Sequence, residues 1–355
     1  MRKESLAFLQ EICNAPSPSG YEQAAARVFR AYTEKFADKV QTDVHGNTWA
    51  ALNPDAGQKI MLAGHLDEIG LQIIHISDGG LLYFAGIGGH DTMVPIGQRV
   101  WIHGAKRVVG VIGRKPIHLL EGDEKEKRPK MHDLWIDIGA KSRAEAEKVV
   151  SIGDCATYQW EFASLLGDRV TARGFDNKMG AFIVAEALRI LKTEGGLAQG
   201  VGVFAVGTVQ EEIGLRGART SSFGIDPQSG LAVDVDFAID TPGLDKSRYG
   251  NAVMGKGPSV TKGANINPVV LDLVLKGAKK EKVPYQLCAE PGGTGTDANA
   301  MQVSRGGIAT GLVGVPIRYM HSPCEVLELG DVEDCARLMA AYCRQVKSDT
   351  SFVPM

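Results

Sequence analysis

Acidic and histidine side chains follow the apolar runs of this chain, where buried strands are expected to end. Two adjacent glutamates, Glu211 and Glu212, come directly after the run VGVFAVGTVQ. The other polar side chains at such positions are His65, Asp67, Asp176, Asp234, Asp236 and His321. Because ligand sites in open α/β sheets lie beyond the carboxyl ends of the strands, we expect these groups to gather at one edge of one sheet.

Imidazole and carboxylate groups without thiolates are typical ligands of Zn²⁺, Co²⁺ or Mn²⁺ in an open catalytic site. In the stretch HLD, residues i and i+2 project to the same side of an extended chain. His65 can therefore bind a metal while Asp67 orients it. Of the two glutamates, one can hold a metal while the other moves protons, although paired acids also begin solvated helices, where the helix dipole favours negative charge.

Each of these residues also has an ordinary structural interpretation. Asp176 could cap the following helix, Asp234 or Asp236 could end a strand, and His321 could be a loop residue. We expect Asp297 to cap a helix, because its stretch EPGGTGTDANAMQ lacks the G-K-[ST] ending of a phosphate loop. Structural roles are expected for the remaining histidines, His45, His75, His90, His103, His118 and His132. The sequence contains neither an H-E-x-x-H nor a G-x-S-x-G motif.

The order of the elements predicts two structural units. The chain begins with a helix, a loop and a second helix, and residues 69–165 are then rich in short strands broken by Gly and Pro, with SRAEAEKVV as a helical stretch. We expect an inserted small β domain there. After it, apolar strands alternate with helices, which predicts an α/β/α catalytic domain formed by residues 1–68 and 166–355 around a largely parallel sheet.

Composition excludes several classes of function. The net charge of −3 and the mixed signs of the run EGDEKEKRPK leave no basic face for a phosphate backbone, so we expect no nucleic acid partner. The six cysteines form no C-x-x-C pair, which indicates free thiols in a reducing compartment. Without the apolar core of a signal peptide or a run long enough to cross a membrane, the sequence predicts a cytoplasmic protein with no membrane partner.

The stretches GHLDEIG, RGFDNKMG, TVQEEIGLRGA, VDVDFAIDTPG, GTDANAMQ and RYMHSP together resemble the tetrahedral aminopeptidase family. Members of this family are cytoplasmic peptidases with two metal ions, including glutamyl and lysyl aminopeptidases, and some have been labelled endoglucanases. The resemblance spans nearly the whole chain. The family often has threonine or a similar residue where this sequence has Asp236.

The resemblance implies a role for each matching residue. One metal would be held by His65, Asp176 and Asp234, and the other by Asp176, Glu212 and His321, with Asp176 bridging the two. Glu211 falls at the position of the general base, and Asp67 at the position that orients His65. Two divalent ions per subunit, Zn²⁺, Co²⁺ or Mn²⁺, are therefore expected.

We predict from these observations an aminopeptidase that removes N-terminal residues from short peptides. A deacylase of N-acyl amino acids is the nearest alternative. A carbohydrate hydrolase using Glu211 and Glu212 as acid and nucleophile is less consistent, because adjacent residues at a strand end splay apart. A binding module without enzymatic activity needs no such cluster.

A homo-oligomer is also expected. Ile87, Val94, Trp101 and Trp135 lie in short segments of the β insert, which could bury part of this apolar surface against a neighbour. The alternative is that all four fill the core of the insert. The family resemblance implies dimers formed through this domain, and twelve-subunit shells built from the dimers, with inward-facing active sites.

Overall fold

The computed structural model describes residues 1–355, apart from the side chain of residue 123. The α-helices are α1 (Lys3–Asn14), α2 (Gln23–Thr33), α3 (Arg143–Ala146), α4 (Phe175–Glu194), α5 (Arg216–Ile225), α6 (Lys246–Tyr249), α7 (Pro268–Glu281), α8 (Asp297–Gln302) and α9 (Leu329–Cys343). Short 3₁₀ turns occupy Ile117–Leu119, Gly122–Lys125 and Met131–Asp133.

The strands fall into a central sheet, a closed barrel and a small third sheet. The central sheet contains β1 (Lys39–Thr42), β2 (Thr48–Leu52), β3 (Gln58–His65), β12 (Val201–Thr208), β13 (Ser229–Phe237), β14 (Ser259–Gly263), β15 (Gln286–Glu290) and β16 (Ala309–Ile317). The barrel contains β4 (Gly70–Ile76), β5 (Leu82–Ile87), β6 (Arg99–His103), β7 (Arg107–Arg114), β8 (Leu134–Asp137) and β9 (Cys155–Tyr158). The third sheet contains β10 (Ala163–Ser164), β11 (Arg169–Ala172) and β17 (Glu325–Glu328).

The central sheet has the order β1-β2-β12-β3-β13-β16-β14-β15. Its four middle strands, β12, β3, β13 and β16, run parallel, whereas β1 and β2 on one side and the junction of β16 with β14 are antiparallel. The parallel strands are buried on both faces, as expected for a sheet covered by helices on both sides. The predicted α/β/α architecture is confirmed.

Two apolar clusters cover the two faces of this sheet. On one face, side chains of α1, α2, α4, α7 and α9 pack with alternate residues of the strands, such as Leu62 and Val233. On the other face, α5 and α8 pack over the intervening residues, such as Ala63 and Ala232. The backbone of α4 approaches β3 so closely that a Cβ placed on Gly64 would lie 2.3 Å from the carbonyl carbon of Gly180.

The β-rich insert forms a closed six-stranded barrel with its own core, which includes Leu71, Phe84 and Ile136. The helix predicted over SRAEAEKVV is only four residues long, α3, because Lys148 and Val149 make i→i−3 hydrogen bonds that tighten the chain into turns. Among the described residues, no helix combines the length and apolar character needed to cross a membrane.

The apolar residues singled out in the insert are Ile87, Val94, Trp101 and Trp135, and each is partly exposed. None of them belongs to the buried core of the barrel. The guanidinium carbon of Arg107 lies 4.1 Å from the ring centroid of Trp101. The alternative that all four fill the core of the insert is therefore wrong for the single chain.

Candidate metal centre

The fold brings the predicted site residues together through the ends of three neighbouring strands. His65 is the last residue of β3 and pairs with Thr208, the last residue of β12. Ala63 of β3 pairs with Ala232 of β13, so Asp234 lies two residues further along, beside His65. The side chains that the strand-end rule selected therefore lie together at one edge of the sheet.

Two groups of ligand atoms meet at this edge and share Asp176. In the first group, His65 Nε2 lies 3.3 Å from Asp176 Oδ1 and 3.9 Å from Asp234 Oδ1. In the second, His321 Nε2 lies 3.2 Å from Asp176 Oδ2 and 3.6 Å from Glu212 Oε2. Within each group the ligand atoms all lie within 4.8 Å of one another. One carboxylate thus presents an oxygen to each histidine.

Glu211 and Glu212 diverge as they leave the strand. Glu211 Oε2 lies 3.7 Å from His65 Nε2, whereas Glu212 reaches His321. Glu212 Oε1 is buried and has no hydrogen-bond partner among the described residues. Because an unpaired buried carboxylate oxygen is costly, a cation bound at this position would stabilise it.

The charges of the cluster are strongly perturbed. Burial raises the pKa of the Glu211 carboxyl to about 10 and those of Glu212 and Asp234 to about 8, and neighbouring carboxylates add to the effect. Burial also acts to raise the pKa of Asp176, but hydrogen bonds from His321 and His65 hold it well below its usual range. The chain therefore concentrates more buried acidic groups than its own cations can neutralise, a donor set that suits divalent metal ions.

Asp67 holds the backbone of the two glutamates. Its carboxylate accepts hydrogen bonds from the backbone N–H groups of Glu211 and Glu212, both at 3.1 Å, and from the Ser19 hydroxyl at 2.6 Å. His65 Nδ1 lies 3.0 Å from the backbone carbonyl of Asp67 and 3.5 Å from its carboxylate. If Nδ1 carries the proton and donates a hydrogen bond to the Asp67 carbonyl, the lone pair of Nε2 points towards Asp176 and Asp234 and is free to bind a metal ion.

Glu325 is a functional candidate that the sequence did not reveal. Its carboxylate accepts hydrogen bonds from the backbone N–H groups of Asp176 at 3.1 Å and of His321 at 3.0 Å. Burial raises the pKa of Glu325 well above its usual range. Glu325 thus contacts the backbone of two candidate ligands that are far apart in the sequence. No spacing or motif in the stretch HSPCEV indicates this role.

A buried ion cluster lies behind the ligands and was also missed. Glu68 forms ion pairs with Arg173 and Lys178, and Lys178 Nζ also donates to the carbonyl oxygens of Cys13 at 2.9 Å and Ala15 at 3.0 Å. Glu68 directly follows Asp67 in the chain, and Arg173 lies three residues before Asp176. Both charged residues therefore adjoin segments of the candidate site. The cluster therefore connects three separate parts of the chain.

The structure also corrects two expectations about helix caps. The cap position of α8 is occupied by Thr296, and Asp297 is the first helical residue, buried and accepting a hydrogen bond from the Thr208 hydroxyl at 2.5 Å. Asp176 and Asn177 have non-helical backbone angles near the start of α4, and the side chain that caps the helix after them is Asn177, whose Oδ1 accepts the backbone N–H of Gly180 at 3.0 Å, so the alternative of Asp176 as a cap is also wrong. Among the described residues, the two ligand groups contain none of the six histidines expected to be structural.

The comparison with known families covers most of the chain. A family model described as M42 glutamyl aminopeptidase matches residues 46–338. The chain belongs to the M42 glutamyl aminopeptidase family. It is accordingly a peptide hydrolase of the aminopeptidase class, and M42 peptidases depend on metal ions.

Relatives of this M42 peptidase match it over nearly its whole length. It is 36% identical to a lysyl aminopeptidase of Pyrococcus furiosus, over 96% of this chain and 97% of the relative. A crystal structure of a TET aminopeptidase from a Thaumarchaeota archaeon superposes with a TM-score of 0.92 at 33% identity, covering 98% of both chains. The TET1 peptidase of Pyrococcus horikoshii, which can assemble into a tetrahedron or a large octahedral shell, superposes with a TM-score of 0.82 at 33% identity, over 95% of this chain and 98% of that one.

Proposed function

We propose that this M42 peptidase removes the N-terminal residue of short peptides, using two divalent metal ions, Zn²⁺, Co²⁺ or Mn²⁺. His65, Asp176 and Asp234 would hold one ion, and Asp176, Glu212 and His321 the other. The observation that carries the proposal is the pair of ligand groups that share the carboxylate of Asp176. When bound, such ions lower the pKa of a water ligand and polarise the peptide carbonyl.

Glu211 is the proposed general base. Its carboxylate belongs to neither ligand group, yet it lies beside the first of them, 3.7 Å from His65 Nε2. Asp67 fixes the backbone N–H of Glu211, so the side chain leaves the strand end in a defined direction. Bound cations would offset the burial that raises the pKa of Glu211 and would favour its carboxylate form. In this role Glu211 would accept the proton of the attacking water at a carboxylate oxygen and deliver it to the leaving amine.

Exchange of each glutamate for glutamine tests this assignment. Glu211→Gln should retain two metal ions per chain and lose about 10²–10⁴-fold in kcat, since the amide keeps the shape and cannot accept the proton. Glu212→Gln should instead lose metal from the second group. Metal content is measured by atomic emission and activity with aminoacyl p-nitroanilides; loss of metal from Glu211→Gln with full occupancy in Glu212→Gln would reverse the two roles.

Two alternative activities are distinguished by substrate. An N-acyl amino acid deacylase would cleave N-acetylated substrates and leave free aminoacyl p-nitroanilides intact, whereas the proposed aminopeptidase does the reverse. A carbohydrate hydrolase needs two carboxyls facing each other across a sugar at about 5–5.5 Å in the retaining case. Glu211 and Glu212 instead contact different histidines, which argues against that activity.

We further propose that the chain is a cytoplasmic homo-oligomer whose dimers form through the insert, residues 69–165, and assemble into a dodecamer. Residues 1–68 and 166–355 then form the catalytic domain. The partly exposed side chains of Ile87, Val94, Trp101 and Trp135 support an interface on the insert.

Light scattering should give a mass well above that of one chain, and a monomeric mass at working concentration would refute the assembly. An enclosed site should also cleave a short peptide much faster than a folded protein with the same N-terminus.

A further inference from the structure

A cavity of about 770 Å³, within the size range of small-ligand sites, is lined by Val235 and Asp236, which directly follow the proposed ligand Asp234 in the chain. It lies at the ends of β13, β14 and β15, next to the face of the sheet that α8 covers. Its lining includes Asp236, Phe237, Tyr249, Ser259, Cys288 and Glu290. The apolar and aromatic groups among them could enclose the methylene stem of a side chain.

Asp236 connects this cavity to the metal centre. It lies two residues beyond Asp234 on the same strand, so both side chains project to the same face, with Cα atoms about 6–7 Å apart. The neighbouring strand has Gly314 opposite Asp234. A Cβ on Gly314 would lie 3.2 Å from Asp236 Cβ and 2.6 Å from Ser259 Oγ, so this glycine leaves the space that the cavity needs.

A second acidic side chain, Glu290, lines the same cavity from the edge strand β15. Its Oε1 accepts the backbone N–H of Gly292 at 3.0 Å, and its charge acts on Asp236. Among the described side chains, no cation lies within ion-pair distance of either Asp236 or Glu290. The exposed Arg248 also lines the cavity, but its guanidinium carbon stacks 4.9 Å from the ring centroid of Tyr249.

We infer that this cavity receives the side chain of the N-terminal residue and that Asp236 and Glu290 select a basic one, lysine or arginine. The inference rests on the proposed aminopeptidase function. The scissile bond must lie at the metal centre, and Asp236, which lines the cavity, lies only two residues beyond the proposed ligand Asp234 on the same strand. Two acids without a cationic partner complement an ammonium or guanidinium group at the end of an apolar stem.

The test compares three p-nitroanilides with the metal-loaded enzyme: lysyl, norleucyl and glutamyl. Norleucine has the same chain as lysine without the ammonium group, so it measures the charge alone. Lysyl substrate should give the highest kcat/KM. Asp236→Asn and Glu290→Gln should each lower the lysyl value by about 10–100-fold, as expected for a hydrogen bond to a charged group, with the norleucyl value and metal content nearly unchanged.

Two further variants keep the test decisive. Glu290→Lys, at a partly exposed position, should reverse the preference towards the glutamyl substrate. This variant tests the inference independently, even if Asp236→Asn fails to fold. Asp349→Asn, an exposed acid outside the cavity, should leave all three values unchanged. Equal rates on lysyl and norleucyl substrates, or a preference of the wild type for the glutamyl one, would overturn the inference while the aminopeptidase function stands. If none of the three substrates were cleaved, the proposed function would fall, and the inference with it.

Discussion

Glu68→Gln is the most direct test of how the buried ion cluster supports the site. Burial acts to raise the pKa of the Glu68 carboxyl, but Arg173 and Lys178 hold it at about 2, against an ordinary value of 4.5. At about 1.4 kcal/mol for each tenfold change in proton affinity, ionised Glu68 contributes about 3 kcal/mol to the free energy of unfolding. Glu68→Gln also leaves two buried cations without their carboxylate, so we expect a loss of about 3–5 kcal/mol at pH 7.

The sign of the pH dependence follows from the lowered pKa. A carboxyl that is more acidic in the folded chain stabilises it above its ordinary pKa and loses this contribution as the pH falls through the folded value. Between pH 5 and pH 2, the free energy of unfolding of the wild type should therefore fall by about 3 kcal/mol more than that of Glu68→Gln.

Urea denaturation of the metal-free proteins, followed by circular dichroism at several pH values, measures both effects. Glu11→Gln is a matched control, because Glu11 is exposed on α1 and forms no ion pair with the described side chains. Its stability should match that of the wild type at every pH. If Glu68→Gln were as stable as the control at pH 7 and showed the same acid slope, the cluster would not contribute as argued.

Three further predictions follow from the geometry around the ligands. Glu325→Gln should weaken metal binding by about 10–100-fold, because its carboxylate holds the backbone of Asp176 and His321; competition with a chelator measures this, and unchanged affinity would contradict the role. Chelation of the wild type should abolish activity and lower Tm, and metal at 100 times its Kd should restore about 2.7 kcal/mol, whereas full turnover after exhaustive chelation would refute the mechanism. Gly64→Ala should lower the free energy of unfolding by at least about 1–3 kcal/mol, because the added Cβ would overlap the backbone of α4. An unchanged urea midpoint would show that the close approach of β3 and α4 does not require glycine at this position.

Much of the fold and most members of the candidate ligand cluster could be predicted from the sequence. Apolar strands separated by amphipathic helices fix a parallel sheet, and the strand-end rule then places His65, Asp234 and the two glutamates at one edge. The helix in the insert was overestimated, because Ala146 and Val150 bury against the barrel and the chain tightens into turns to bring them there. Local periodicity predicts that a segment is helical, whereas packing against the barrel determines the length of the helix.

The residues that contact the segments of the candidate ligands were not predictable, for a different reason. Glu68 and its partners Arg173 and Lys178 are more than 100 positions apart in the chain. In the sequence each is an ordinary charged residue, and only the folded chain shows that their charges meet in the interior. Glu325 is similar, since its function depends on two backbone N–H groups, and every residue other than proline has one.

The hydrogen bonds of the buried carboxylates divide them into two groups, those that position the backbone and those that are open to a cation. Asp67 and Glu325 each accept two backbone N–H groups from segments that carry ligands or the proposed base, so their oxygens are occupied. Glu212 has a buried oxygen without a partner and faces His321. A carboxylate whose lone pairs are taken by backbone donors positions the chain, and one whose lone pairs remain open is available to a cation. Asp236 differs from both groups, because its carboxylate interacts with the side chains of Ser259 and Cys288 as well as with the backbone N–H of Phe237, and these contacts hold it at the wall of the adjoining cavity.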